Sequence, residues 1–528
     1  MEKENQIILL NTQTSTNPSE IRITQTSDDA DQSGVEEIQL KPVIRITPGD
    51  LHIVVDTAEK ELAKQERYYQ AGGLIVSVLI DLATGDPSIQ TISASALTRL
   101  LSELATWEKY HERKDKWLSC DPPTRHTSIL YDSGDYHHLR PLVGVARQPY
   151  FRESDNELVM EPGYDEISKI FGVFDPKEYV LPAPTMAEAN AALVLLEDLL
   201  TEFHFVSSVD KAAALSAIFT ATVRPSLPYA PAYHVKAPVF GSGKTYLCEL
   251  IGAFAGPGGN AKVSYPRSSD EATKSILSLL LTNPAVIEFD DMDSDWTPHG
   301  VIMRMLTAEH ITDRILGHSK TATVSTRTLF LGSGNNVGPV RDLLRRVLTI
   351  HVDPRTSTPA MMSYKEKPVD KVRQQRAKYV SAVLTIIQAW RKAGSPQAET
   401  ENIVTFDGAW SEYCRQPLMW LGQPDPATSL LNQVQHDPDA EALGSLMSEW
   451  YRIFGSTPTT IRKAIDEAFD NDDLMDAFKE FPVEERGAIN RSKLGWVIKK
   501  NVNRIVNGME FQKAQADGRN AWRVIKNN

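Results

Sequence analysis

The 528-residue sequence predicts an α/β protein: a phosphate-binding-loop core built on a parallel sheet, with a small α+β domain and a helical linker before it. A helical region and a winged-helix-like carboxyl-terminal domain are expected after it. Three observations predict this. Residues 238–245 read PVFGSGKT, between a strand-like apolar run and a helix-like run. From 231 to 355, strand-like and helix-like stretches alternate, the rhythm of parallel βαβ units. At the carboxyl end, a helix-like run precedes two strand-like runs joined by Asp517-Gly518, the order in which a winged helix ends.

A chain of this length is too long for one core and is expected to hold roughly three to four domains. Residues 1–45 are rich in Ser, Thr, Gln, Asn and Asp and read as a disordered acidic tail. Residues 46–180 read as the small α+β domain, with helices at 51–63 and 94–104 and a strand at 74–80. The stretch PYFRESDNELVMEPGYD adds two short extended runs around a polar turn. Residues 181–230 form a helical linker, with helices at 187–203 and 209–223 and Ser208 as N-cap; Pro225, Pro228 and Pro231 then stop helix formation. The core at 231–355 is followed by a helical lid at 356–440, whose longest predicted helix is 369–393. Residues 441–528 make the basic terminal domain, with a helix at 492–506 and strands at 509–513 and 521–525.

Apolar residues make up 41% of the chain and charged residues 24%, an ordinary soluble balance. No apolar run approaches the ~20 residues that span a bilayer, and no apolar h-region opens the chain. Cys120, Cys248 and Cys414 are widely separated and odd in number, so a disulfide framework is excluded and a reducing cytoplasm is expected. No Cys/His cluster has zinc-ligand spacing. The net charge of −13 conceals a gradient: residues 1–40 carry eight acids against Lys3 and Arg22, whereas 491–528 carry nine Lys or Arg against Glu510 and Asp517. A run of this kind is either a solvated face or a nucleic-acid surface.

A phosphate loop needs small residues so that backbone N–H groups point inward, a Lys for the β/γ oxygens and a hydroxyl for magnesium. Gly241, Ser242, Gly243, Lys244 and Thr245 meet that need and predict ATP with Mg2+. The usual first glycine is Pro238. Further on, Ala285–Asp291 reads as an apolar strand ending in two acids, which puts carboxylates at the sheet's carboxyl edge. Asp290 would hold magnesium with Thr245, and Asp291 would orient or deprotonate the attacking water. Glu288, inside that strand, is either core-facing and paired or an alternative carboxylate. Gly332-Ser333-Gly334-Asn335-Asn336 ends the next strand, where an amide can position that water. Asp342-Leu343-Leu344-Arg345-Arg346 offers guanidinium groups for transition-state charge on a neighbouring subunit's nucleotide.

The order PVFGSGKT, VIEFDD, GSGNN, DLLRR resembles the AAA+ ATPase cores of superfamily 3-like helicases, and more closely the primase/helicase-type ATPases of phages, plasmids and integrative elements. ITDRILGHS and LMWLGQPDP add to the resemblance, which covers most of the chain from about residue 46. It implies that Asn336, with Asn335, is similar to sensor 1, and Arg346, with Arg345 as alternative, to the arginine finger. Asp291 stands where many such proteins have Asn and many AAA+ proteins have Glu, which leaves the catalytic carboxylate open. No primase constellation is present in the first 230 residues. In superfamily 3-like helicases a β-hairpin before sensor 1 grips DNA in a ring's channel. Here Arg314–Lys320 turning into Thr321–Ser325 fits it, with His318 and Lys320 near its tip. Lys493, Lys499, Lys500 and Arg504 on the last helix and Arg519 in the hairpin turn offer a second DNA surface, while Trp496 and Trp522 read as core anchors.

Two functions are compatible with this pattern. The first is a ring-forming ATP-dependent DNA helicase or translocase that acts in replication of a mobile element, alongside a possible separate primase. The second is an ATP-switched initiator, loader or regulatory scaffold without unwinding. An anti-phage defence ATPase is a third possibility.

Overall fold

The structure, a computed structural model, describes residues 7, 8, 41–315, 320–356, 358, 359, 365–403, 405–435, 437–485 and 487–526. Two compact units are present: Met1–Pro339 with Arg346–Ser429, and Val340–Arg345 with Leu430–Asn528. Among the described residues no helix is long and apolar enough to cross a membrane.

At the centre of the first unit lies a five-stranded, all-parallel sheet. Its strands are β1 (Ala232–Ala237), β2 (Ala261–Val263), β3 (Val286–Met292), β4 (Leu329–Asn335) and β5 (Val347–His351), in the order β2-β3-β4-β1-β5. β1, β3, β4 and β5 are buried along most of their length because both faces of such a sheet are covered, while β2, at the edge, is partly exposed. Helix α1 (Lys244–Ala255) follows β1, and α2 (Ser269–Leu280) precedes β3, capped by the Ser268 hydroxyl on the Glu271 N–H. The strand that follows the loop helix, β2, is not the neighbour of β1; β3 and β4 intervene. That reversal opens a crevice at the carboxyl ends of β1, β3 and β4.

The expected acidic tail lies mostly outside the described residues. At its end, Val43–Ile46 is a strand paired in parallel with Thr106–His111. Helices Leu51–Ala63 and Ala94–Leu104 and strand Leu74–Asp81 form where the hydrophobic pattern places them. Tyr150–Phe151 pairs with Leu158–Val159 around the polar turn of PYFRESDNELV. The linker helix Ser208–Val223 is capped one residue earlier than expected. Ser207, not Ser208, is the N-cap, in a capping box with Asp210.

The long helix expected at 369–393 is two, Pro368–Gln374 and Arg376–Lys392, because Gln375 leaves helical geometry at φ −128°, ψ 40°. The break delivers Arg376 into the interior. There its guanidinium donates to the Ala253 carbonyl (2.9 Å), the Phe254 carbonyl (2.9 Å) and the Arg147 carbonyl (3.1 Å), and also to Gln148 Oε1. A cation at the last turn of α1 complements the helix dipole, and it ties three distant segments together.

The second unit is built on Trp450, Phe478, Leu494, Ile498, Phe511 and Trp522. Helix α3 (Arg491–Lys500) leads to a hairpin of β6 (Met509–Ala516) and β7 (Arg519–Lys526). Asp517 and Gly518 both take positive φ (50° and 70°), the backbone a tight two-residue hairpin turn requires. α3 stops at Lys500, earlier than the expected 506. Asn501 caps it with its N–H on the Ile498 and Val497 carbonyls, and Asn503 turns left-handed (φ 62°).

Trp296 seals the sheet beneath the crevice. It packs on Phe289 and leaves no room at Gly332 of β4, where a Cβ would meet its ring at 2.3 Å. Gly332→Ala should therefore overpack this contact and lower the stability of the core by ~1–3 kcal/mol. Chemical denaturation of the variant beside the wild type measures it; an unchanged midpoint would contradict the contact.

Candidate functional site

The loop between β1 and α1 owes its shape to two glycines with positive φ, Gly241 (71°) and Gly243 (82°). Gly243 is the N-cap of α1 and has no side chain to satisfy the first-turn N–H groups, which stay available to an anion. The loop is drawn in by the Ser242 hydroxyl, which donates to the Val239 carbonyl. Pro238 lies at the entry, and the loop turns after it.

Lys244 is 7% exposed, yet its ammonium bonds only neutral acceptors: Asn335 Oδ1 at 2.6 Å and the Val239 carbonyl at 3.5 Å. Among the described residues no carboxylate lies within ion-pair distance of it. Burial lowers its pKa from the ordinary lysine value, with Asp291, Cys248 and Asp290 acting in the opposite sense. A buried cation without a counter-ion is costly unless an anion arrives.

Below it, Thr245 Oγ1 donates to Asp290 Oδ1 at 3.3 Å, and Ser333 Oγ donates to the same oxygen at 3.0 Å. Lys262 Nζ stands 3.4 Å from Asp290 Oδ2. Partial burial disfavours the Asp290 charge, but the Ser333 hydroxyl and Lys262 outweigh it and hold the carboxyl below its ordinary range. The register of β3 against β4 shifts between Phe289 and Met292, and Asp291 adopts φ 47°. This bulge separates the two acids: Asp290 keeps to the loop side and Asp291 is exposed. Glu288 is fully buried and accepts from Asn260 Nδ2 at 2.7 Å, its pKa pushed up to about 7 by burial. Of the two possibilities for Glu288, its position is the core-facing, paired one.

β4 ends in Asn335, whose amide reaches Lys244; Asn336 turns away at φ 53° and is exposed. The chain beyond is pinned to β1 by His234, buried completely. Its Nδ1 accepts from Trp296 Nε1 (3.0 Å), so its Nε2 carries the proton and donates to the Val337 carbonyl (2.8 Å). Arg346 is half-buried and donates to the Met303 carbonyl at 2.8 Å, whereas Arg345 is exposed and bonds Asp342 at 2.8 Å. The inward turn of Arg346 follows from its place directly before β5.

Sequence reasoning missed an apolar cavity of about 340 Å³ opening beside the loop. Phe203, Tyr246, Val352 and Pro368 line it, together with Ser242 and Gly243 of the loop itself. The Phe203 and Tyr246 rings lie nearly parallel, 6.2 Å apart and 25° inclined. Its size and flat aromatic wall suit a heteroaromatic ring. No motif marks these residues; Phe203 follows a helix end and Tyr246 sits beside the recognised Thr245.

The donor set fits a nucleotide with its metal: N–H groups and Lys244 for phosphates, Thr245 and Asp290 for a divalent ion, and an aromatic cavity for a base. A Mg2+ ion takes one or two protein ligands and completes its shell with phosphate and water.

The expected DNA contacts fare unequally. The hairpin exists, His310–Arg314 against Thr321–Ser325, but His318 lies outside the described residues. Lys320 does not project freely: its ammonium is 2.5 Å from Asp132, 3.1 Å from the Tyr131 carbonyl and 4.1 Å over the Tyr131 ring. Arg504 is not on a helix face, since α3 has ended, and it pairs with Asp437 at 3.0 Å. Lys499, Lys500 and Arg519 are exposed. Trp522 is a core residue as expected, but Trp496 is not: it is 61% exposed.

No family model matches the chain, and no curated protein matches it in sequence. Among solved structures it is similar to the apo A form of the NrS-1 C-terminal region, at 11% identity and TM-score 0.39, over 89% of this chain and 98% of that one. It is also similar to the JCV helicase, at 14% identity and TM-score 0.18, over 45% of this chain and 68% of that one. Likenesses this distant carry no argument about what the chain does.

His234 gives the site a pH signature. Burial depresses its pKa from 6.5 to about 4. Between those values the unfolded chain binds a proton that the folded chain refuses, so stability present above the unfolded pKa is lost as the pH falls. The melting midpoint should drop from about pH 7 to about pH 5, and drop less in His234→Gln. Equal slopes in the two proteins would contradict the assignment.

Proposed function

We propose that the chain is an ATP-hydrolysing motor of the AAA+, superfamily 3-like type, acting on DNA in the replication of a mobile element. The observation that carries it is the buried Lys244 ammonium, bonded to neutral acceptors and set above the Thr245–Asp290 pair. The order of motifs supports the class. The cavity walled by Phe203 and Tyr246 supports a purine base.

In this proposal Gly241, Ser242 and Gly243 wrap the phosphates, and Lys244 exchanges Asn335 for a β/γ oxygen. Thr245 and Asp290 hold Mg2+, which neutralises charge on the phosphates when bound. Asp291, freed by its bulge, accepts a proton from the attacking water. Asn335, released by Lys244, orients that water; its contact recommends it over Asn336. The guanidinium acting across a subunit boundary is Arg345, whose side chain is 57% exposed, while Arg346 holds β5 in place. A ring of subunits would then carry the hairpin inward, where a phosphate displaces Asp132 from Lys320.

That ion pair also favours a second reading, an ATP-switched initiator or loader. A hairpin whose basic residue is already seated on Asp132 and Tyr131 suits a protein with two states better than a continuously cycling one.

Hydrolysis should rise with single-stranded DNA, and Lys244→Ala should lose it by at least ~100-fold. Hydrolysis without DNA stimulation or strand displacement would remove the motor and leave the switch. Arg345→Ala and Lys244→Ala should each be inactive alone, yet regain part of the activity when mixed, since each supplies what the other lacks. A mixture as silent as its components would overturn the trans role of Arg345.

A further inference from the structure

α3 buries Leu494, Val497 and Ile498 and turns its other face to solvent. Ser492, Trp496, Lys499 and Lys500 follow one another along that face at helical spacing. Trp496 is thus the middle of a basic stripe, one turn after Ser492 and one turn before two lysines. The Lys500 ammonium stands 5.2 Å from the centre of its ring. Lys493, beside it, is drawn 3.5 Å from Glu485, but Lys499 and Lys500 have no carboxylate within ion-pair distance among the described residues.

A single exposed apolar side chain is ordinary in folded proteins, but Trp496, 61% exposed, lies among cations that have no carboxylate partner among the described residues. Its neighbours decide what kind of contact it suits. Protein-binding aromatic hot spots are ringed by residues that exclude water, and lysine is depleted there. Here the ring is flanked by cations, the arrangement that tracks a nucleic-acid backbone while a base stacks on the aromatic face. In a duplex both faces of a base are already covered, so the partner is an unpaired base.

We propose that Trp496 is a stacking platform for an unpaired base of single-stranded DNA, with Lys499 and Lys500 binding the adjoining phosphates. It rests on the DNA reading above and adds a second hold on the strand, separate from the hairpin. It also gives the terminal unit a part of its own, capture of an opened strand.

The test is equilibrium binding of the full chain, at one salt concentration, to a labelled oligothymidylate and to an abasic strand of equal length and charge. Trp496→Ala should weaken binding to the oligothymidylate by about 5- to 100-fold and leave the abasic strand unaffected. Trp496→Phe should retain most of the affinity. Lys499→Ala with Lys500→Ala should weaken both strands alike. Trp496→Ala binding oligothymidylate as the wild type does, or losing the same factor on both strands, would overturn the platform. With wild-type DNA stimulation of hydrolysis intact, that result removes the platform alone. Wild-type protein that binds neither strand removes the DNA reading together with it.

Discussion

Everything around the crevice is arranged about one buried positive charge. Lys244 starts a helix, so its ammonium is carried into the end of the sheet, where solvent is excluded and only amide and carbonyl oxygens meet it. The sheet order serves that charge. By placing β4 between β1 and β3, it brings Asn335 to the ammonium and Ser333 to Asp290 in the same strand, two residues apart. Trp296 and His234 then fix the exit of β4, so the amide cannot drift.

The sequence made the central motifs legible because their chemistry is local. Small residues before a Lys and a hydroxyl, or an apolar strand ending in acids, need no tertiary information to be recognised. Period and turn chemistry placed most helices and the Asp517-Gly518 hairpin for the same reason. What escaped depends on contacts distant in the chain. That Asn335, rather than Asn336, bonds Lys244 is set by a contact with a residue 91 positions earlier. The base-sized cavity joins a helix end, the loop helix and residues beyond β5. The seat of Lys320 lies on a helix in the first quarter of the chain. Trp496 misled because a tryptophan in an amphipathic pattern is ordinarily inside, and here it fell on the cationic side of the stripe.

Small backbone irregularities separate functions that a regular element would merge. In an unbroken strand, Asp290 and Asp291 would simply face opposite sides of the sheet. The bulge instead lets the first stay among hydroxyls near Thr245 while the second is left exposed. A departure of the same sort at Gln375 converts one long helix into two and admits a guanidinium to the interior.

That guanidinium makes the boundary of the motif-bearing segment differ from the boundary of what folds. Arg376 completes the end of α1 from beyond the sheet, and the same side chain holds the Arg147 carbonyl and Gln148 from before it. A fragment excised at 231 and 355 would contain the phosphate loop and the acid, amide and arginine motifs, and would still expose the Ala253 and Phe254 carbonyls that this side chain satisfies. The loop and its acids are portable as a pattern of letters, but as matter they belong to a much longer stretch of polypeptide.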